Sequence, residues 1–243
     1  MLAGLVALVT NIEHYVGLHA AQEMARQGAK VFCHSASFSD ASVLQEFQRR
    51  ETSLLAVVGV SPEDTVAKAV ECGGHLDILV SNDFFPAIRA PIDEASQKDL
   101  EATLAALIVT PFRYAAAAAA HMKCRKKGKL LFVTSAAPLR GLSNYSMYVT
   151  GRGATNTLAV SLSKELAPFN ITVNAIAPNY VESESYFSQD LRQNPAVMEK
   201  FAKKVPLGRL GTPEEVAAVI SFFASNGSDF VTGQVVPVAG GWA

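Results

Sequence analysis

Seven short apolar runs, separated by stretches of helical spacing, dictate the architecture open to this chain. Leu5–Thr10, Lys30–His34 (KVFCH), Leu54–Gly59, Leu76–Ser81 (LDILVS), Lys129–Thr134, Thr172–Ala177 (TVNAIA) and Gln234–Val238 read as strands. Runs this short and this apolar fit strands buried on both faces of a parallel sheet. Helices are expected over Gly17–Gln27, Asp40–Arg50, Ser61–Cys72, Gln97–Lys123, from Tyr148 to about Leu166, and from Thr212 onward. Ser61-Pro62-Glu63-Asp64 supplies an N-cap, a proline at the first helical position and first-turn acids, and Thr212 and Glu215 are spaced as a capping box. The alanine run 115–120 combines high helix propensity with small side chains and points to close helix packing. Strands alternating with helices predict an α/β fold. The chain is expected to form a single doubly wound, Rossmann-like domain over residues 1–243, its seven-stranded parallel sheet covered by helices on both faces. Tyr180–Val205 reads as one long irregular insertion, the kind of loop that often binds ligands.

With 243 residues and 49% hydrophobic side chains, the chain can bury a sizeable core. A net charge of -1 gives no electrostatic case for nucleic acid or an anionic membrane. No segment reaches the length of a membrane span without a charge, so no membrane partner is expected. The apolar start, MLAGLVALVTN, lacks a basic region and reads as a first strand, not a leader. Cys33, Cys72 and Cys124 are far apart and show no metal spacing, which points to free thiols, no bound metal and a reducing cytoplasmic setting.

One stretch carries chemistry: Ser135 to Arg152, SAAPLRGLSNYSMYVTGR. It reads as a strand end, a loop and the start of a helix. Tyr148 and Arg152, four residues apart, share one helix face. A fixed positive charge beside a phenol favours phenolate, and arginine keeps its charge at any working pH. Such a tyrosine can act as general base toward an alcohol, with the Ser135 hydroxyl holding the substrate oxygen. On spacing alone, a surface ion pair or packing is the commoner meaning of such a pair.

Context decides between these readings. The order of elements, with TVNAIAP, VPLGRLGTPEEVAAVISFFAS and TGQVVPVAGG, closely resembles the short-chain dehydrogenase/reductase superfamily over essentially the whole chain. That superfamily uses Ser, Tyr and a Lys four residues later on a nicotinamide cofactor. Ser135 and Tyr148 match, but Arg152 replaces the lysine. The glycine-rich cofactor loop is also gone. A phosphate cradle needs glycines for its tight turn and for close backbone approach. The stretch Thr10-Asn11-Ile12-Glu13-His14-Tyr15-Val16-Gly17 keeps only the last one. Asn11 tolerates unusual backbone angles, so a turn can survive, but Tyr15 projects where the dinucleotide would lie. His34-Ser35 offers neither an acid for the adenosine ribose nor an arginine for a phosphate. Ser81-Asn82-Asp83-Phe84 replaces another glycine by an aromatic, the helix from Asp99 to Ala120 has no asparagine, and Pro178-Asn179 stands where Pro-Gly is usual. All these changes strike the dinucleotide and spare Ser135 and Tyr148.

That combination resembles the halohydrin dehalogenases, a cofactor-independent branch with a Ser–Tyr–Arg triad. The resemblance implies catalytic Ser135, Tyr148 and Arg152, a halide and substrate pocket from Tyr15, Pro178, Asn179, Tyr180, Val181 and Phe187, and no cofactor. It implies displacement of halide from a vicinal haloalcohol by the neighbouring alkoxide, giving an epoxide, and reversal with halide, azide, cyanide or nitrite. It also implies a homotetramer, built on the helices near Asp99–Lys123 and Tyr148–Leu166, with Gly151, Gly153, Ala154 and Ala159 allowing close approach. Trp242 fits a pocket cap or a subunit contact, and the histidines receive no role. Two alternatives stay open: a nicotinamide-dependent oxidoreductase with a degenerate loop, and a non-catalytic scaffold. Substrate, halide preference and enantioselectivity depend on the shapes of loops 84–89, 138–145 and 181–190.

Overall fold

A computed structural model of the chain describes residues 1–184 and 186–243. Strands β1 (Val6–Val9), β2 (Lys30–His34), β3 (Leu55–Val57), β4 (Ile78–Ser81), β5 (Gly128–Val133), β6 (Ile171–Pro178) and β7 (Val235–Val238) form one sheet. The spatial order is β3-β2-β1-β4-β5-β6-β7, and every pairing is parallel. Alternate residues along each strand feed opposite cores, as the two-residue period requires. Ala7, Val9, Val31, Cys33, Ile78, Val80, Leu131, Val133 and Ile176 face one layer, where α1 (Gly17–Arg26), α2 (Ala41–Arg50) and α10 (Pro213–Ala224) pack. Val6, Leu8, Phe32, Leu79, Leu130, Phe132, Val173 and Ala175 face the other, covered by α3 (Pro62–Gly73), α5 (Thr110–Arg125) and α7 (Ser146–Leu166).

The expected signals are used. Ser61 caps α3 with Pro62 in its first turn, and Thr212 and Glu215 close a reciprocal capping box on α10. Ala115, Ala118 and Ala119 put the alanine run against the sheet.

Two expectations need correction. The long helix after β4 is not continuous. It runs as α4 (Gln97–Leu104), a π-helical turn over Ala105–Val109, then α5. Pro111 explains the break: with no N–H it cannot bond the Leu107 carbonyl. That carbonyl accepts from the Thr155 hydroxyl of α7 instead. Gln97–Arg125 as a whole has the length and composition of a membrane span, a test that the core helix of a globular fold also passes. Its inner face packs on the sheet through Tyr114 and Met122. The region after Tyr180 is not irregular either. It holds α8 (Gln189–Arg192) and α9 (Pro195–Lys204), the latter capped by Asn194, whose side chain accepts from the N–H groups of Ala196 and Val197. A short helix, α6 (Ala137–Arg140), follows Ser135.

The small residues of α7 serve the chain itself. A side chain at Gly151 would meet Leu107 at 3.3 Å and Thr103 at 3.5 Å, and one at Gly153 would meet Pro138 at 3.5 Å. Ala159 lies in the second core.

Candidate active site

Four strand ends converge on one cavity. The loops after β1, β4, β5 and β6 meet beyond the carboxyl edge of the sheet, where doubly wound folds place their ligands. Ser135 lies just past β5, and α7 crosses beneath with Tyr148 and Arg152 one turn apart. The Ser135 hydroxyl accepts from the Ala137 N–H (3.1 Å), leaving its own proton to donate. Asn156, one turn past Arg152, donates to the Ser135 carbonyl (3.3 Å) and ties the strand end to the helix.

Arg152 is buried, at 3% exposure. One guanidinium nitrogen donates to Val133 O (3.1 Å) and another to Asp83 O (2.9 Å), so it is pinned to the ends of β5 and β4. Its Cζ lies 5.4 Å from the centroid of the Tyr148 ring. Burial works to lower its pKa, but the Tyr148 and Tyr186 phenols raise it more, so it stays a fixed cation. Nε finds no partner among the described residues.

The cavity above these residues has a volume of about 550 Å³. Tyr15, Ser135, Tyr148, Pro178, Asn179, Tyr180 and Phe187 all line it, as the sequence predicts. Val181 does not. Its side chain turns away into a neighbouring cavity of about 260 Å³, because its backbone bridges to Gly211. The backbone donors of the turn are already engaged. The Asn179 N–H bonds Val238 O (3.2 Å), and the Tyr180 N–H bonds the Asn179 side-chain oxygen (2.9 Å). A depression of about 510 Å³ over α1 and α2 carries Glu13, Glu46, Arg50 and Glu51 but no member of the Ser–Tyr–Arg set.

Sequence reasoning passed over Tyr186. Its hydroxyl donates to Phe85 O (3.1 Å), joining the loop after β6 to the loop after β4. Its ring meets those of Tyr15 (5.6 Å), Phe84 (5.6 Å) and Tyr148 (6.3 Å) edge-on. In the sequence it is only a tyrosine next to Phe187, and spacing along a loop does not say which neighbour turns inward. Burial pushes the Tyr15 and Tyr186 phenols well above the usual tyrosine range, with the Tyr148 charge adding to the rise, so both stay protonated. Asp83, behind Arg152, is also buried. Desolvation pushes its carboxyl up to about 6, against the lowering pull of Ser81 and Arg152.

A nicotinamide dinucleotide, the cofactor of the wider fold family, does not fit these residues. Tyr15 and Asn11 both adopt left-handed backbone, with φ of 52° and 48°. The Asn82 side chain donates to the carbonyls of Asn11 (3.0 Å) and His14 (2.8 Å) and so holds this turn shut. It also fills the space at Gly17, where an added side chain would meet it at 2.7 Å. His14 stacks on Phe84 with centroids 4.5 Å apart, closing the crevice between β1 and β4. At the end of β2, the hydroxyls of Ser35 and Ser37 hold the carboxylate of Glu13 rather than a ribose.

Comparisons with known proteins give the chain's family. The family model described as enoyl-(acyl carrier protein) reductase matches residues 13–243. A tropinone reductase homolog from Arabidopsis thaliana is 30% identical over 250 residues, 99% of this chain and 93% of that protein. A solved structure described as a dehalogenation enzyme is 43% identical, with TM-score 0.97 over 100% of both chains. A halohydrin dehalogenase bound to ethyl (2S)-oxiran-2-ylacetate is 37% identical, with TM-score 0.94 over 97% of this chain and 96% of that one. The chain is thus a member of the short-chain dehydrogenase/reductase superfamily. Within that superfamily it belongs to the halohydrin dehalogenase branch.

Proposed function

We propose that the protein is a halohydrin dehalogenase: it closes vicinal haloalcohols to epoxides with release of halide, and opens epoxides with small anions in reverse. The observation that carries this reading is the Ser135–Tyr148–Arg152 set at one cavity whose dinucleotide side is filled by Tyr15 and the His14–Phe84 stack.

The chemistry needs no oxidant or reductant. The substrate hydroxyl docks against Ser135 and Tyr148. Ser135 donates to the oxygen and orients it. Tyr148, as phenolate, takes the hydroxyl proton. Arg152 supplies the fixed positive charge that stabilises the phenolate, and its anchorage to two carbonyls keeps it there before substrate arrives. The alkoxide oxygen forms its new bond to the adjacent carbon as the carbon–halogen bond breaks, and the halide leaves with the electron pair. The cavity's main task is to hold oxygen and halogen on opposite sides of that carbon. The halide departs toward Tyr15, Phe187 and the Pro178–Tyr180 turn. It can take the Tyr180 N–H in exchange for the Asn179 side-chain oxygen, an anion site of backbone dipole and aromatic edges.

Resemblance to the family supports a homotetramer, and exposed apolar side chains on helices supply surface for it: Val109 and Phe112 near the start of α5, Val160 on α7 and Phe222 on α10. Free Cys33, Cys72 and Cys124 fit a reducing, cytoplasmic setting. The direct test of the reaction is stoichiometry. A vicinal bromoalcohol incubated with the protein and no dinucleotide should yield one epoxide for each bromide released. Bromide without epoxide, or product only with a dinucleotide, would contradict the reading.

A further inference from the structure

The cavity is walled by aromatic and small apolar side chains, yet its outer end carries a cation. Lys204, the last residue of α9, lines it there and is itself exposed. Phe201, three residues back on the same helix, lines it too, so one face of α9 turns both side chains toward the opening. Among the described residues lining the cavity, Lys204 is the only lysine, arginine, aspartate or glutamate. Several neighbouring charges are paired, whereas Lys200, one turn back on α9, is not among the ion pairs of the described residues. Arg192 holds Glu182 (2.9 Å) and Glu184 (2.5 Å), and Glu199 holds Lys203 (2.7 Å). Lys204 has no carboxylate partner among the described residues.

An ammonium without a carboxylate partner on the lining of a cavity attracts anions, more strongly on its cavity side than on the side water screens. The cavity is also roomier than the reaction needs. At about 550 Å³ it falls in the range that encloses drug-sized ligands. A substrate whose reacting carbons sit at Tyr148 can therefore extend a substituent to Lys204. A flexible lysine, as a point charge, suits a carboxylate at the end of a short chain.

Resting on the dehalogenation reading above, we infer that Lys204 recognises an anionic group at the substrate end remote from the reacting carbons. The favoured substrates are then haloalcohols and epoxides that carry a carboxylate.

The test compares γ-chloro-β-hydroxybutyrate, as the free carboxylate and as its ethyl ester, by chloride release. Wild type, Lys204→Gln, Lys204→Glu and Lys204→Arg are measured at low and high salt. The carboxylate-to-ester ratio of kcat/KM should fall at least tenfold in Lys204→Gln, carried by KM, and further in Lys204→Glu. Lys204→Arg should retain the ratio, and salt should narrow it in the wild type. An unchanged ratio in Lys204→Gln and Lys204→Glu overturns the inference. So does an equal loss on both compounds, which would put Lys204 to work on the halide or the fold. If the wild type releases chloride from neither compound, the dehalogenation reading itself fails, and this inference with it.

Discussion

Arg152 has two anchors, and that separates it from a lysine in the same place. Its planar fork reaches Val133 O and Asp83 O from one side chain while its Cζ stays beside the Tyr148 ring. A lysine keeps the charge but cannot hold both carbonyls at once in that geometry. Arg152→Lys should therefore fold, yet lose about a hundredfold in kcat, the scale expected when a reacting group drifts by about an ångström. Wild-type kcat in that variant would show that charge alone suffices. Behind Arg152, Asp83 makes a second prediction. Its folded pKa of about 6 lies above the ordinary carboxylate value, so the fold holds this proton more tightly than the unfolded chain does. The resulting stability is present below the ordinary carboxylate pKa and is lost as pH rises through about 6. Urea unfolding should show the wild type losing up to about 3 kcal/mol relative to Asp83→Asn between pH 4 and 7. A parallel pH dependence in the two proteins would contradict this. Ser135, Tyr148 and Arg152 were singled out by the resemblance of the whole chain, since the local spacing of Tyr148 and Arg152 did not by itself separate a site from a surface pair. Tyr186 and Lys204 were not, because the direction of a loop side chain, and the face that α9 turns inward, are set by the packing of distant segments.

At the level of elements, the sheet and its covering helices were legible because apolar runs and caps are strong local signals. The misses have local explanations as well. Pro111 marks the break that turns one expected helix into α4, a π-helical turn and α5. Its missing N–H frees the Leu107 carbonyl for Thr155. Asn194-Pro195 is an N-cap followed by a proline in the first turn, the same grammar as Ser61-Pro62, but it sits in a stretch with weak apolar periodicity. Because α9 carries Phe201 and Lys204 to the cavity, its cap bears on the site. Asn194→Ala removes the acceptor for two helix N–H groups and should cost about 1 kcal/mol. Hydrogen exchange should report that loss in α9 before it appears in the sheet. An α9 exchanging as slowly as in the wild type would mean the cap is dispensable.

For the whole molecule, the superfamily's sheet is intact while its cofactor crevice is filled from within, by Tyr15, by the His14–Phe84 stack and by Glu13 held on Ser35 and Ser37. Added dinucleotide should therefore leave the melting temperature unchanged, since a ligand that binds only the folded state must raise it. A saturable rise would revive the oxidoreductase reading. Assembly belongs to this scale too. Phe112 is about half exposed on α5, beside Val109. If that face joins subunits, light scattering should find a tetramer, and Phe112→Glu should yield smaller species. A monomeric wild type would leave these side chains without the proposed partner.

The central claim is that Tyr148 drives dehalogenation without a cofactor. The most direct measurement is bromide release from a vicinal bromoalcohol at mildly alkaline pH, with no dinucleotide present, for the wild type and Tyr148→Phe. Removing one phenolic oxygen leaves the ring that packs beside Arg152. Steady release is expected from the wild type and a loss of at least about a hundredfold in the variant, the scale of a general-base contribution. Equal release by both proteins would contradict it.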